Sequence, residues 1–212
     1  DIATGGNADT LVSIERVTGG LAGDELTGDG NDNILAGGSG ADTLIGAGGN
    51  DTLTGGTSNS DIDVVTYSGY NSSLTISLTG VGNASVSGQG NDPLTEIEKI
   101  LSGEVADRFV GLVDGMVVDG GGASDRLDLS GLGNQIIARL AQSGQNVSSN
   151  GASMTLANIE ELSGGSAGDS LVGDAQVNIF VGNAGKDTVE GGQGNDSLFG
   201  GDGDDNLAGN EG

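Results

Sequence analysis

Residues Gly191–Leu207 read GGQGNDSLFGGDGDDNL. A glycine-rich run ends in an acidic residue, an aliphatic follows two positions later, and the pattern starts again at once. The unit is nine residues long. Asp169, Asn178, Asp187, Asp196 and Asp205 stand nine apart, and Leu171, Phe180, Val189, Leu198 and Leu207 follow each by two. The same ladder occurs earlier as Asp24, Asn33, Asp42 and Asp51, followed by Leu26, Leu35, Leu44 and Leu53. A fixed short period marks a repeat architecture. One apolar position in nine suits neither a helix stripe nor a heptad, and frequent Gly, Asn, Asp, Ser and Thr make a helix costly. Six residues that turn and three that extend fit better. Glycine serves where φ is positive or another backbone comes close, and x-U-x is a short strand with its aliphatic U turned inward. Two units then make one coil of eighteen residues, and stacked coils give two facing inner rows of aliphatics.

A longer repeat overlies the short one. Ile14-Glu15, Ile97-Glu98 and Ile159-Glu160 each precede a ladder; nine residues after each Glu stand Asp24, Asp107 and Asp169, and twenty-seven after stand Asp42, Asp125 and Asp187. Eighteen after stand Asn33, Met116 and Asn178, so the middle copy departs there. DVVTYSGYNSSLTISLTG from Asp63 aligns without a gap on DRLDLSGLGNQIIARLAQ from Asp125, an offset of 62. Leu74, Ile76 and Leu78 alternate with polar residues, as in a half-buried strand. The expected organisation is the end of a cassette (1–17), a first ladder (18–60), a cassette (61–101), a short degenerate ladder (102–128), a second cassette (129–163) and a last ladder (164–212). The cassettes either widen the same solenoid or fold as separate small sheets. Gly209–Gly212 begins another turn and stops before its Asp, which reads as a window on a longer protein.

Composition limits what such a chain can do. Among 212 residues there are 44 Gly, 31 acidic and 6 basic residues, no His and no Cys, and the net charge is −25. High charge with high glycine is otherwise the signature of a disordered acidic tract; the phase lock between each Asp and its aliphatic argues against that. The charge repels nucleic acid and anionic membranes and favours cations as partners. No apolar run is long enough for a membrane span. One buried aliphatic per nine residues does not offset the entropy of ordering nine backbones, and stacked aspartates repel. A divalent cation answers both difficulties, and an oxygen-only donor set without His or Cys selects Ca²⁺ over zinc or copper.

GGSGADTLI, GGQGNDSLF and GGDGDDNLA resemble the GGxGxDxUx nonapeptide of RTX (hemolysin-type) proteins, a Ca²⁺-binding repeat. The resemblance covers roughly half the chain, and the cassettes resemble the segments that separate RTX blocks in large bacterial surface proteins. It implies an all-β fold, a right-handed parallel β-roll, with several calcium ions held between turns eighteen residues apart. Each ion takes the sixth-position acid of two turns, second- and fourth-position carbonyls of the first, and first- and third-position carbonyls of the second. Carried onto this sequence, Asp187 pairs with Asp205, with carbonyls of Asn183, Gly185, Gly200 and Asp202. Asp169 pairs with Asp187, with Gly165, Ala167, Gly182 and Ala184. Asn178 pairs with Asp196, with Asp174, Gln176, Gly191 and Gln193. In the first ladder Asp24 pairs with Asp42, with Gly20, Ala22, Gly37 and Ser39, and Asn33 pairs with Asp51, with Gly46 and Gly48. In the middle, Asp107 pairs with Asp125. Met116 cannot ligate. Asn33 and Asn178 offer a neutral oxygen, for which Asp29 and Asp174 are candidate replacements. Glu15 and Glu160 either reach toward the Asn rungs as end ligands or simply start a ladder, and Glu98 lacks a partner eighteen on. Asp187, shared by two rungs, is expected to matter more than Asp51, which ends the first ladder.

Catalysis has little to stand on. Without His or Cys the common triads and catalytic zinc centres are absent, and the acids that a glycosidase would need fall on the repeat. Arg108, Arg126 and Lys186 adjoin ladder acids and soften charge there; Tyr67 and Tyr70 pack in the cassette. Asp202-Gly203-Asp204-Asp205-Asn206 is not an EF-hand loop, because Leu207 stands where that loop needs Gly. The resemblance further implies type I secretion and folding outside the cell, as a rod, adhesin or surface-layer scaffold, or as the secretion and folding module of a larger enzyme or toxin. Besides calcium ions, it implies neighbouring copies, other surface proteins or polysaccharide as partners, with no nucleic acid and no membrane insertion.

Overall fold

The computed structural model describes residues 14–56, 61–141 and 145–211; most of the expected cassette end at 1–17 lies outside them. The described residues are all-β, with no helix. In chain order, the first coils comprise β1 (Arg16–Thr18), β2 (Glu25–Thr27), β3 (Ile34–Gly38), β4 (Thr43–Ile45), β5 (Thr52–Gly56) and β6 (Val64–Thr66). The first cassette gives β7 (Thr75–Gly80), β8 (Asn83–Ser87), β9 (Asn91–Thr95) and β10 (Lys99–Leu101). Then come β11 (Arg108–Val110), β12 (Val117–Asp119) and β13 (Arg126–Asp128). The second cassette gives β14 (Ile136–Arg139), β15 (Gln145–Ser149), β16 (Ala152–Ala157) and β17 (Glu161–Ser163). The last coils are β18 (Ser170–Val172), β19 (Ile179–Ala184), β20 (Thr188–Gln193), β21 (Ser197–Asp202) and β22 (Asn206–Glu211).

These strands alternate between two facing sheets of eleven, ordered β1-β3-β5-β9-β8-β7-β11-β13-β17-β19-β21 and β2-β4-β6-β10-β12-β16-β15-β14-β18-β20-β22. Ladder strands pair in parallel with a register of eighteen residues, as Ile34 with Thr52 and Thr188 with Asn206. This is the β-roll, and the nine-residue unit is half a coil.

The cassettes stay in the same sheets. Each inserts a three-stranded antiparallel meander, β7-β8-β9 into the first sheet and β14-β15-β16 into the second. The offset of 62 carries β8 onto β15 residue for residue, and β10 onto β17. Four strands, β10–β13, lie between the meanders and alternate between the sheets, an even number, so the two meanders fall on opposite sheets. The first leaves one sheet two strands ahead of the other, and the second restores the balance. Between them the coil runs obliquely: β10 is fourth in its sheet and β11 seventh in the other.

The core is the pair of inward rows. Leu35, Leu53, Leu94, Ile76, Phe109, Leu127, Leu162 and Phe180 line one sheet; Leu44, Val65, Ile100, Val118, Val147, Leu171 and Val189 line the other, and all are essentially inaccessible. Tyr67 and Tyr70 are buried in the first cassette, edge to face with centroids 5.1 Å apart. Phe180→Ala removes a fully buried ring from between two neighbours. It is expected to cost about 3–5 kcal/mol in saturating calcium, read from denaturant unfolding; a loss below about 1 kcal/mol would mean that the inner row is not a packed core.

Candidate metal centres

The residue before each ladder strand lies on a coil edge, and strand register stacks these residues into rows. On the first sheet the row runs Glu15, Asn33, Asp51, Asp92 and, beyond the meander, Leu74, Asp107, Asp125, Glu160, Asn178, Asp196. On the second it runs Asp24, Asp42, Asp63, Glu98, Met116, Met154 and, beyond the meander, Ile136, Asp169, Asp187, Asp205.

Within a row each acid is tied to the residue below it. The backbone N–H of Asp24 donates to Oδ1 of Asp42 at 2.7 Å, Asn33 to Asp51 at 2.8 Å, Asp107 to Asp125 at 2.7 Å, Asp169 to Asp187 at 2.7 Å, Asn178 to Asp196 at 2.9 Å and Asp187 to Asp205 at 2.9 Å. All six acid pairs singled out from the sequence are thus adjacent rungs. The other carboxylate oxygen is often left without a partner: Oδ2 of Asp42, Asp51, Asp125, Asp187 and Asp196 is buried and accepts no hydrogen bond. A buried carboxylate oxygen in that condition is expensive.

The glycines explain how the turn makes room. Oδ2 of each acid lies over the glycine five residues before it, where a methyl group would overlap it: Gly37 under Asp42, Gly46 under Asp51, Gly182 under Asp187, Gly191 under Asp196 and Gly200 under Asp205. The next two glycines of the motif take positive φ, as Gly38 (112°), Gly40 (106°), Gly201 (106°) and Gly203 (141°) do. These press against the carbonyls of the turn below: Gly38 on Gly20, Gly40 on Ala22, Gly201 on Asn183, Gly203 on Gly185, Gly185 on Ala167, Gly192 on Asp174 and Gly194 on Gln176. First-position carbonyls of the upper turn face down, those of Gly37, Gly46, Gly182, Gly191 and Gly200 crowding Gly19, Gly28, Gly164, Gly173 and Gly182. At the third position the Asp202 carbonyl accepts the N–H of Gly185 at 2.9 Å. The N–H groups of Ser39, Gly48, Ala184 and Gln193 reach down to the carbonyls of Gly20, Asp29, Gly165 and Asp174. The carbonyls of Gly20, Ala22, Gly37, Gly46, Gly165, Ala167, Asp174, Gln176, Gly182, Asn183, Gly185, Gly191, Gly200 and Asp202 thus border the seam between turns, and Ser39, Gly48, Ala184 and Gln193 join it through their N–H groups.

Burial pushes these carboxyls up, and neighbouring acids push further against the pull of the N–H donors. Asp51 rises to about 6 and Asp125 to about 7. Asp42, Asp169 and Asp187 rise as well, burial again the main cause. Among the described residues no three acidic side chains converge on one point. A rung supplies two acidic or amide side chains, and main-chain carbonyls would have to supply the rest. Such a set of six or so oxygens suits Ca²⁺, which takes six to eight at flexible geometry.

Several side chains behave differently from the sequence reading. Asp51 does not end its row, because its N–H donates to Oδ1 of Asp92 at 2.9 Å; Asp42 likewise donates to Asp63 at 2.9 Å. Asp63 and Asp92 are buried row members that ladder spacing missed. A signal was present: SGQGNDPLT at Ser87–Thr95 repeats GQGND and Leu of GGQGNDSLF. The Tyr67 hydroxyl donates to Oδ2 of Asp92 at 3.1 Å. At the Asn rungs, Oδ1 of Asp29 and of Asp174 accepts an N–H two residues on in its own turn, while Asn33 and Asn178 accept the N–H of Asp29 and Asp174. Arg108 and Arg126 converge on Asp128, at 2.5 and 3.8 Å, rather than on the ladder acids beside them. Burial works against the Asp128 anion, but the Ser130 hydroxyl and N–H and the Arg108 guanidinium outweigh it and hold Asp128 at about 2. Met116 faces Met154 in an apolar stretch of its row, both buried.

No curated protein matches the chain. The family described as RTX calcium-binding nonapeptide repeat (4 copies) matches at residues 27–62, 163–198 and 181–212. Repeats of this family bind calcium and are structural rather than catalytic. The spacing and the parallel coils agree with this match: residues 27–62 and 163–212, in the first and the last ladder, are similar to RTX calcium-binding nonapeptide repeats.

Proposed function

We propose that this chain is a calcium-dependent structural module of a secreted or cell-surface bacterial protein, and not an enzyme. It stays unfolded at low calcium and folds outside the cell. The observation that supports this best is the set of buried carboxylate oxygens without partners, at Asp51, Asp125 and Asp196 in one row of stacked acids and at Asp42 and Asp187 in the other. In this reading the six rungs hold calcium through the acid pairs and carbonyls named above, in ladders at 18–60, 102–128 and 164–212. Each ion ties two neighbouring coils, so folding is cooperative along the stack. Extracellular calcium modules work at roughly 10⁻⁴–10⁻³ M, a concentration that separates the cytosol from the outside. Two meanders that return the sheets to equal strand number favour a continuous rod, as in an adhesin stalk or surface layer, with neighbouring copies, other surface proteins or polysaccharide as its further partners. The second reading, a type I secretion and folding module attached to an enzyme or toxin, uses the same calcium chemistry.

The test is far-UV circular dichroism during a calcium titration from chelator upward, with magnesium as control. A cooperative transition to β structure specific to calcium is expected. Full β structure already present in chelator would sink the proposal.

A further inference from the structure

We propose that the Ile-Glu closures of the two cassettes each complete a further divalent-cation site, Asp125 with Glu160 and Asp63 with Glu98, outside the nine-residue repeat. This rests on the calcium reading of the ladders and extends it to residues that the repeat does not contain.

The geometry at Asp125 and Glu160 repeats that of a rung. In the ladder, the upper acid accepts the N–H of the lower one. Here Glu160 accepts the N–H of Asp125 through Oε2 at 3.0 Å, across 35 residues of chain. In the ladder, the first glycine of the lower turn is crowded by its own acid's Oδ2 and by a carbonyl of the turn above, as Gly182 is by Asp187 and Gly200. Gly120 is crowded in the same way by Oδ2 of Asp125 and the carbonyl oxygen of Asn158. That Oδ2 accepts no hydrogen bond, and Asp125 is fully buried. Two acids and a main-chain carbonyl therefore meet at a seam where one carboxylate oxygen lacks any partner.

The closing turn is shorter than a ladder turn. Its carbonyl comes from two residues before the acid instead of five. Asn158 at φ 51° turns the chain, Ile159 is buried in the core, and Glu160 is one methylene longer than Asp. The N–H groups of Glu160 and Glu161 both donate to the Asp125 carbonyl, at 3.1 and 2.9 Å, and pin the turn on the rung. The first cassette repeats the turn and its hydrogen bonds around a buried Asp63, while the partnerless Oδ2 is a feature of Asp125. Glu98 accepts the N–H of Asp63 at 2.9 Å, Glu98 and Lys99 donate to the Asp63 carbonyl, and Glu96 sits at φ 55°. Gly55 is crowded by Oδ2 of Asp63 and the Glu96 carbonyl. A solvated glutamate that merely starts a ladder has no need of this arrangement twice. The cation would fasten each cassette to the coil below it, where the repeat is interrupted.

The experiment counts calcium ions bound per chain, by equilibrium dialysis and native mass spectrometry, for the parent and the double variant Glu98→Gln, Glu160→Gln. Glutamine keeps an acceptor for the two N–H groups and removes the charge. Two fewer ions are expected in the double variant, with the calcium-induced β transition retained. An unchanged count in a folded double variant overturns the proposal. Should the variant not fold, the parent decides: more ions than the eight rungs, Asp42–Asp63 and Asp51–Asp92 included, supports the sites, and eight or fewer overturns them. A parent that binds no calcium overturns the ladder reading itself, which is a separate result.

Discussion

Replacing Asp187 by Ala raises the calcium concentration needed to fold the last ladder, and raises it about twice as far, in free energy, as Asp205→Ala does. Asp187 is a member of two rungs: its Oδ1 accepts the N–H of Asp169, and its own N–H donates to Asp205. Asp205 lies under the outermost strand of its sheet and belongs to one described rung. At tenfold excess of calcium over Kd, each site contributes about 1.4 kcal/mol by linkage. Loss of two sites therefore removes about 3 kcal/mol, a large share of the stability of a small domain. The comparison needs an acid with a single described rung partner. Asp51, which ladder spacing marks as an end, is followed by Asp92 and is itself a shared rung. The midpoint of the calcium titration, followed by circular dichroism, measures the effect. Equal shifts for Asp187→Ala and Asp205→Ala would show that ions are not shared between turns.

What could be read in advance follows from where the period holds. In the ladders the phase of acid and aliphatic fixes strand, turn and facing direction, and the expected pairs are the observed rungs. The 62-residue offset was equally legible, and it maps β6–β10 onto β13–β17. That the two meanders sit on opposite sheets was not, because it depends on the parity of strands between them, and the cassette strands could not be counted from apolar spacing alone. Asp63 and Asp92 escaped for a related reason. They follow Asp42 and Asp51 by 21 and 41 residues, so their place in the rows is set by strand pairing across an insertion. The destination of Arg108 and Arg126 also depended on three dimensions. Asp128, two residues after Arg126 in the same strand, collects both, and the ladder acids beside them stay uncompensated.

In chelator the fold is stabilised by acid, the reverse of an ordinary acidic protein. Burial raises the carboxyls of Asp51, Asp125, Asp42, Asp63, Asp92, Glu98, Asp169 and Asp187 in the folded chain. Asp51 and Asp125 rise from an ordinary 3.8 to about 6 and about 7. Between those limits the folded state binds more protons than the unfolded one, so stability falls as pH rises. The contribution is complete below 3.8 and is lost once pH passes about 7. Asp128, held at about 2, works in the opposite direction but only below 3.8, outside this window. The melting temperature of the calcium-free chain is therefore expected to rise as pH is lowered from 8 to 5, and a chain without structure in chelator at pH 8 is expected to gain β signal. In millimolar calcium the trend flattens or reverses, because protons and Ca²⁺ compete for the same oxygens. Thermal melts followed by circular dichroism at pH 5, 6.5 and 8, with chelator and with calcium, check both halves. A melting temperature in chelator that climbs from pH 5 to pH 8 would contradict the buried, uncompensated rows. The expected result means that calcium at neutral pH does for the rows what protons do in acid, cancelling a charge that the glycine-lined seam has already removed from water.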